Sequence, residues 1–404
     1  MRKNSILLQL LLIIFIVSCS PQSKKQHKKD AERSPSIKTA VMAYYVAENP
    51  YEPEKIPVEK LTHIIYSFTN VIDGEMKFRH PEEAGPKLVA LVNQKKRNPS
   101  LKVMIACGGW GADGFSDMAL TEDSRQKFIN SAHEFIEKYQ LDGMDMDWEY
   151  PGISGAGTMA RKEDTKNFTA LMKGLREMLD TFDQPKILTF ASAGWKRYYD
   201  FIELNEVMKY ADYTNVMTYD QVSGVSIYTG HHTPLGAVKA EEIEGTPFEV
   251  ELDSLFKSGN NLDADPRSVQ KIVDFLIEKG INPKQIVIGS AFYGRVWKGV
   301  PPVNNGLYQK SKGLHIGWMA YNKIRNEYEP DTTFQRFWDE KAKAPFMYNA
   351  KDSLLVSYDD TVSVALKTKY AMEKGLGGIM FWELGNDTKE VGSLLDAIYK
   401  AASE

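Results

Sequence analysis

Cysteine is nearly absent: the 404-residue chain holds only Cys19 and Cys107, too few for a disulfide framework. Histidine is sparse, with seven residues, and none falls within the chain's densest acidic run, which argues against a metal-dependent hydrolase. No glycine-rich GxGxxG opens the first strand–helix unit, so a dinucleotide fold has no support and no cofactor is expected. A formal net charge of −4 gives no basis for a nucleic-acid partner. What the chain does have is apolar and aromatic mass. At 43% hydrophobic it can build one large domain or two medium ones. Its seven Trp and twenty Tyr serve either that core or a surface that stacks on the apolar faces of sugar rings.

The apolar run Ile6–Val17 follows Arg2 and Lys3. It is shorter than the roughly 20 residues of a membrane-spanning helix and suits the core of a signal peptide over 1–18. Ile16-Val17-Ser18-Cys19 resembles a bacterial lipobox, in which the cysteine is acylated and becomes the mature N-terminus. A lipid anchor on Cys19 would hold the protein at the cell envelope, on an outer membrane or cell surface. Residues 19–37 are polar and read as a flexible tether.

From residue 38 to 402 short β-branched or aromatic runs alternate with longer amphipathic stretches. Strands are expected over 39–46, 62–68, 102–108, 143–149, 186–193, 213–219, 285–293 and 377–384. Helices are expected over 123–139, 164–181, 267–279, 361–374 and 388–402. Eight such units argue for a (β/α)8 barrel, with an open doubly wound sheet as the rival. Two gaps exceed plain connections, 220–265 and 296–357, and the second is read as a small α+β subdomain inserted after the seventh strand.

The informative segment is Asp142-Gly143-Met144-Asp145-Met146-Asp147-Trp148-Glu149-Tyr150-Pro151. Strand periodicity puts Asp145, Asp147 and Glu149 on one face and Met144, Met146 and Trp148 on the other. The apolar set would face the barrel's helices and the acids its lumen. Three buried acids are costly and repel one another, so the row should retain a proton at neutral pH, as a general acid requires. Glu149 falls last, at the C-terminal strand end where barrel active sites lie. An exposed acidic edge is the bland alternative, but an edge would not carry Met, Met and Trp behind it.

This segment resembles the DGxDxDxE signature of glycoside hydrolase family 18, the chitinase family. The resemblance extends to other blocks: Lys102 to Trp110 with Gly108-Gly109-Trp110, Met217-Thr218-Tyr219-Asp220, His232-Thr233-Pro234-Leu235, Tyr293-Gly294-Arg295 and Trp382. It implies that Glu149 is the acid/base and that Asp147 orients the substrate acetamide and shares a proton with Asp145. Tyr219 would hold the acetamido oxygen. Asp220 and Arg295 would bind sugar hydroxyls, Trp382 would floor the pocket, and Trp110 would line a neighbouring subsite. Tyr44, Phe68, Gly109, Tyr150, Met217 and Tyr293 complete the implied substrate-binding set. The implied partner is chitin or another N-acetylglucosamine glycan, handled by a monomer. In one place the sequence departs from the pattern. Ala106 replaces the third-strand serine, and its missing hydroxyl should cost Asp145 a hydrogen bond. Cys107, on the opposite parity, reads as a small buried hydrophobe.

Each feature has a duller reading. Trp382 and Tyr219 alone could be core, and Arg295 could simply pair with Asp220. Two other functions also compete with a chitinase: an endo-β-N-acetylglucosaminidase acting on N-glycans, and a non-catalytic sugar-binding lectin. The intact Asp147 and Glu149 speak against the lectin.

Overall fold

The computed structural model describes residues 37–48 and 51–404. The signal peptide, Cys19 and the tether through Ser36 lie outside the described residues. No described helix is long and apolar enough to cross a membrane.

The strands are β1 (Ala40–Val46), β2 (His63–Ile72), β3 (Glu75–Lys77), β4 (Lys102–Gly108), β5 (Gly143–Asp147), β6 (Ile187–Ala193), β7 (Tyr213–Met217), β8 (Ile286–Ala291), β9 (Tyr293–Lys298), β10 (Leu314–Ala320), β11 (Gln335–Asp339), β12 (Ala344–Asn349), β13 (Leu354–Ser357) and β14 (Gly378–Trp382). Eight of them pair in parallel in the order β1-β14-β8-β7-β6-β5-β4-β2, and β1 also pairs with β2, which closes the ring. The fold is a (β/α)8 barrel, and β3 is an antiparallel flap on the end of β2.

Side-chain parity sorts two cores. Val41, Ala43 and Tyr45 of β1, with Met144, Met146 and Trp148, pack outward against the helices. Met42, Tyr44, Ala106, Tyr219, Val287 and Met380 fill the lumen. Each fully buried Leu, Ile, Phe or Met contributes about 1.5–3 kcal/mol. The helices form where apolar residues recur on one face. Asp164–Leu179 buries Phe168, Leu171, Met172 and Leu175 at that spacing. Glu122–Tyr139 starts at Thr121, whose side chain accepts from the Ser124 N–H. Thr361–Glu373 starts at Asp360, which accepts from the Val362 and Ser363 N–H groups.

The structure differs from the sequence expectation in several boundaries. The expected strand 285–293 is two strands: β8 ends at Ala291 and Tyr293 opens β9 of a separate antiparallel sheet, ordered β10-β9-β13-β12-β11. Tyr293 and Arg295 therefore sit on the second sheet rather than on the barrel wall. The gap 220–265 contains the helix Pro247–Lys257, capped by Thr246. The final helix starts late, at Leu394, because Asp387 accepts the N–H groups of Thr388, Leu394 and Leu395 and folds the preceding residues into a loop.

Candidate active site

The acid row stands where β5 reaches the mouth of the barrel. Asp145 is wholly buried, and Asp147 and Glu149 nearly so. Asp145 is fully engaged: Tyr44 donates to Oδ2 at 2.9 Å, and Thr189 and Asn215 donate to Oδ1 at 2.5 and 3.1 Å. Burial pushes its pKa up, and these three donors pull against the rise. The side chain of Asp147 has one buried oxygen, Oδ1, without a protein partner. Burial first, then the charges of Glu149 and Asp145, push its pKa well up. Glu149 rises from 4.5 to about 7, through burial and the charge of Asp220, against a hydrogen bond from Tyr150. The row therefore holds protons at neutral pH.

The strand-3 departure has a different consequence from the one expected. Ala106 is buried beside Asp145 in register, yet Asp145 lacks no donor, because Thr189 of β6 and Asn215 of β7 reach it from the far side. Cys107 packs in the outer core, and burial pushes its thiol up to about 12, so it is held as a thiol.

Around the row the lumen is aromatic. Trp382, at the end of β14, stacks on Phe68 with ring centroids 5.5 Å apart and an angle of 22°, and lies 5.7 Å from Tyr44. Tyr219 is buried, and burial plus the charges of Asp147 and Glu149 keep its hydroxyl protonated. Gly289 opposite makes room for it, since a Cβ there would meet the Tyr219 ring at 2.8 Å. Met217 also lines the lumen. The Gly108-Gly109 pair is required by space and by backbone. Both have positive φ; a Cβ on Gly108 would fall 1.9 Å from the Asp147 carbonyl oxygen, and one on Gly109 would meet the Phe68 ring at 2.7 Å.

A model of the glycosyl hydrolases family 18 matches residues 40–387. The chain belongs to this family. It is 37% identical over 305 residues to Chitinase A1 of Niallia circulans, covering 72% of this chain and 42% of that protein. It is 29% identical over 396 residues to Chitinase B of Serratia marcescens, covering 84% and 76%. The chain thus spans less than half of the first relative and about three quarters of the second. Among solved structures, a family 18 N-acetylglucosaminidase from Paenibacillus barengoltzii superposes with a TM-score of 0.78 at 36% identity, covering 90% of this chain and 99% of that one. Chitinase ChiA74 from Bacillus thuringiensis superposes at 0.80 with 27% identity, covering 90% and 69%.

In this family 18 barrel, Asp220 and Arg295 form an ion pair at 2.8 Å, and Arg295 also donates to the Val222 carbonyl. Tyr293 donates to Asp220 at 2.8 Å. Burial raises Asp220, but hydrogen bonds from His232 and Tyr293 and the charge of Arg295 outweigh it and hold the carboxyl below its usual range. His231 and His232 are buried, against Asp339 and Tyr293 respectively. Tyr150 packs against Trp195 and Tyr198, and Trp110 stands beside it with centroids 6.5 Å apart. Sequence reasoning missed Thr189, Asn215, Trp195 and Trp318. The signal for the first two was available, since both sit at inward parity on their strands. Trp195 follows β6 and Trp318 lies inside the inserted sheet, where strand parity carries no information about the lumen.

Proposed function

We propose that the chain is a chitinase, hydrolysing β-1,4 linkages of N-acetylglucosamine polymers or oligomers with retention, through the substrate's own acetamido group. The observation that carries this reading is the buried Asp145, Asp147 and Glu149 row, proton-holding near neutral pH, beside the Trp382 and Phe68 stack. Glu149 protonates the glycosidic oxygen as the bond to the anomeric carbon breaks. The acetamido carbonyl oxygen attacks that carbon and closes an oxazolinium ring, so no enzyme carboxylate is needed as nucleophile. The attack is intramolecular and gains a large effective molarity. Asp147 accepts from the acetamido N–H with its open oxygen. The neutral Tyr219 hydroxyl donates to the acetamido oxygen. Glu149, now anionic, takes a proton from water, which attacks the anomeric carbon and reopens the ring. Asp145, held by Tyr44, Thr189 and Asn215, keeps its charge beside Asp147 and helps raise that carboxyl's pKa. Asp220 presents a charged carboxylate to sugar hydroxyls, with Arg295 and Tyr293 holding it.

Two of the relatives bear the name chitinase, which supports this reading. A second is favoured by the Paenibacillus N-acetylglucosaminidase, whose whole length this chain nearly covers: release of single N-acetylglucosamine units. For the N-terminal segment we keep the lipobox reading, with Cys19 acylated and the monomeric barrel tethered to the cell envelope.

Mass spectrometry of products from N-acetylglucosamine hexamer and from a high-mannose N-glycopeptide tests the assignment. Dimers and trimers from the hexamer support the chitinase. Monomer alone from the start moves it to N-acetylglucosaminidase, glycopeptide cleavage alone to glycan trimming, and no cleavage to a lectin.

A further inference from the structure

Two tryptophans stand exposed at the mouth of the barrel, and the ring order places them on opposite arcs. Trp110 follows β4, and Trp318 reaches the site over β8 and β9. In the closed order β1-β14-β8-β7-β6-β5-β4-β2, strands β4 and β8 are four steps apart in either direction. Trp110 is 66% exposed and adjoins Tyr150, the hydrogen-bond partner of Glu149. Trp318 is 47% exposed and lies 6.1 Å from Tyr293, which is itself 6.1 Å from Tyr219 and bonded to Asp220. The pairing of β10 with β9 slips between Ile316 and Met319, an irregularity of the kind that re-aims a side chain. Met319 and Tyr321, its neighbours, are buried. Trp318 is turned out together with Gly317 and His315, so its large ring gains the inserted sheet little packing.

We propose that Trp318 is a stacking platform for the second sugar on the retained side, so that the enzyme engages at least two N-acetylglucosamine units ahead of the scissile bond. The side follows from the acid: Glu149 protonates the departing oxygen, and its hydrogen-bond partner Tyr150 adjoins Trp110, which assigns that wall to the departing sugars and the opposite arc to the retained ones. An indole face offers an apolar plane to the C–H face of a pyranose ring. This inference rests on the chitinase reading and sharpens it, because an enzyme that removes single units has no use for a platform there.

The test compares Trp318→Ala, Trp318→Phe and wild type on fluorogenic reporters with one, two or three N-acetylglucosamine units ahead of the same leaving group. Trp318→Ala should lower kcat/KM on the two- and three-unit reporters tenfold or more relative to the one-unit reporter, and Trp318→Phe should restore most of that ratio. Equal losses on all three reporters, or none, overturn the inference. Calorimetry with Glu149→Gln gives the same comparison without turnover. Chitobiose should bind it more tightly than the N-acetylglucosamine monomer, and Trp318→Ala in that background should narrow the gap. If Glu149→Gln binds both but Trp318→Ala leaves the gap unchanged, the platform alone fails. If it binds neither, the chitinase reading fails and the platform with it.

Discussion

Glu149 and Asp147 differ in what their surroundings ask of them, and pH should separate the two demands. A carboxyl whose pKa is raised in the folded protein binds more protons there than in the unfolded chain, so stability is highest at low pH and falls as pH rises through the shifted range. For Glu149 that range runs from 4.5 to about 7. Glu149→Gln should therefore raise the melting temperature relative to wild type at pH 8 and much less at pH 4, by calorimetry across that range. The same substitution removes the proposed proton donor and should lower kcat on N-acetylglucosamine hexamer by about 10²–10⁴-fold. The basic limb of the wild-type kcat/KM profile should fall near pH 7, where Glu149 loses its proton. Tyr44→Phe deletes one donor to the buried Asp145 and should cost about 1.5–3 kcal/mol of stability if that carboxyl is charged, read from urea midpoints.

At the scale of elements, the C-terminal ends of the strands are held by contacts that lie away from the acid row. Lys367, on the helix Thr361–Glu373, is completely buried and pairs with Asp359 at 2.6 Å. Asp359 also accepts from Thr233 and from the Ala291 N–H at the end of β8. Lys367→Met leaves that carboxylate buried without its cation and should cost about 3–5 kcal/mol, measured by denaturant unfolding, while keeping every side chain of the acid row. Gly108→Ala acts at the C-terminal end of β4, by forcing a Cβ into the Asp147 carbonyl, and should reduce both stability and activity. Much of this layer was readable in advance. Strands β1, β4, β6 and β14 fall within a residue or two of their expected bounds, because each is a β-branched or aromatic run closed by turn residues. The expected strand 285–293 misled because Phe292 lets one apolar run pass from the barrel to the second sheet without a polar break. The Asp220 and Arg295 pair was foreseen only as the dull alternative to sugar binding, since sequence spacing does not say which charges meet.

At the scale of the whole molecule, the closed ring and the family 18 membership were legible because the acid row, the paired glycines and Trp382 each fall at a strand end. The aromatic mouth was legible only at Trp110 and Tyr150. Trp318 and Trp195 belong to connections whose path depends on packing between the barrel and its insertion, and the donors to Asp145 come from neighbouring strands whose register only the fold supplies. The N-terminal reading is tested at this scale too: Cys19→Ser should move the protein from the membrane to the soluble fraction after cell fractionation. In the proposed mechanism the substrate supplies its own nucleophile. The most direct test incubates the wild-type protein with N-acetylglucosamine hexamer and, separately, with fully deacetylated glucosamine hexamer, and follows both by mass spectrometry. Substrate assistance predicts cleavage of the first and none of the second. Cleavage of both at comparable rates would contradict it.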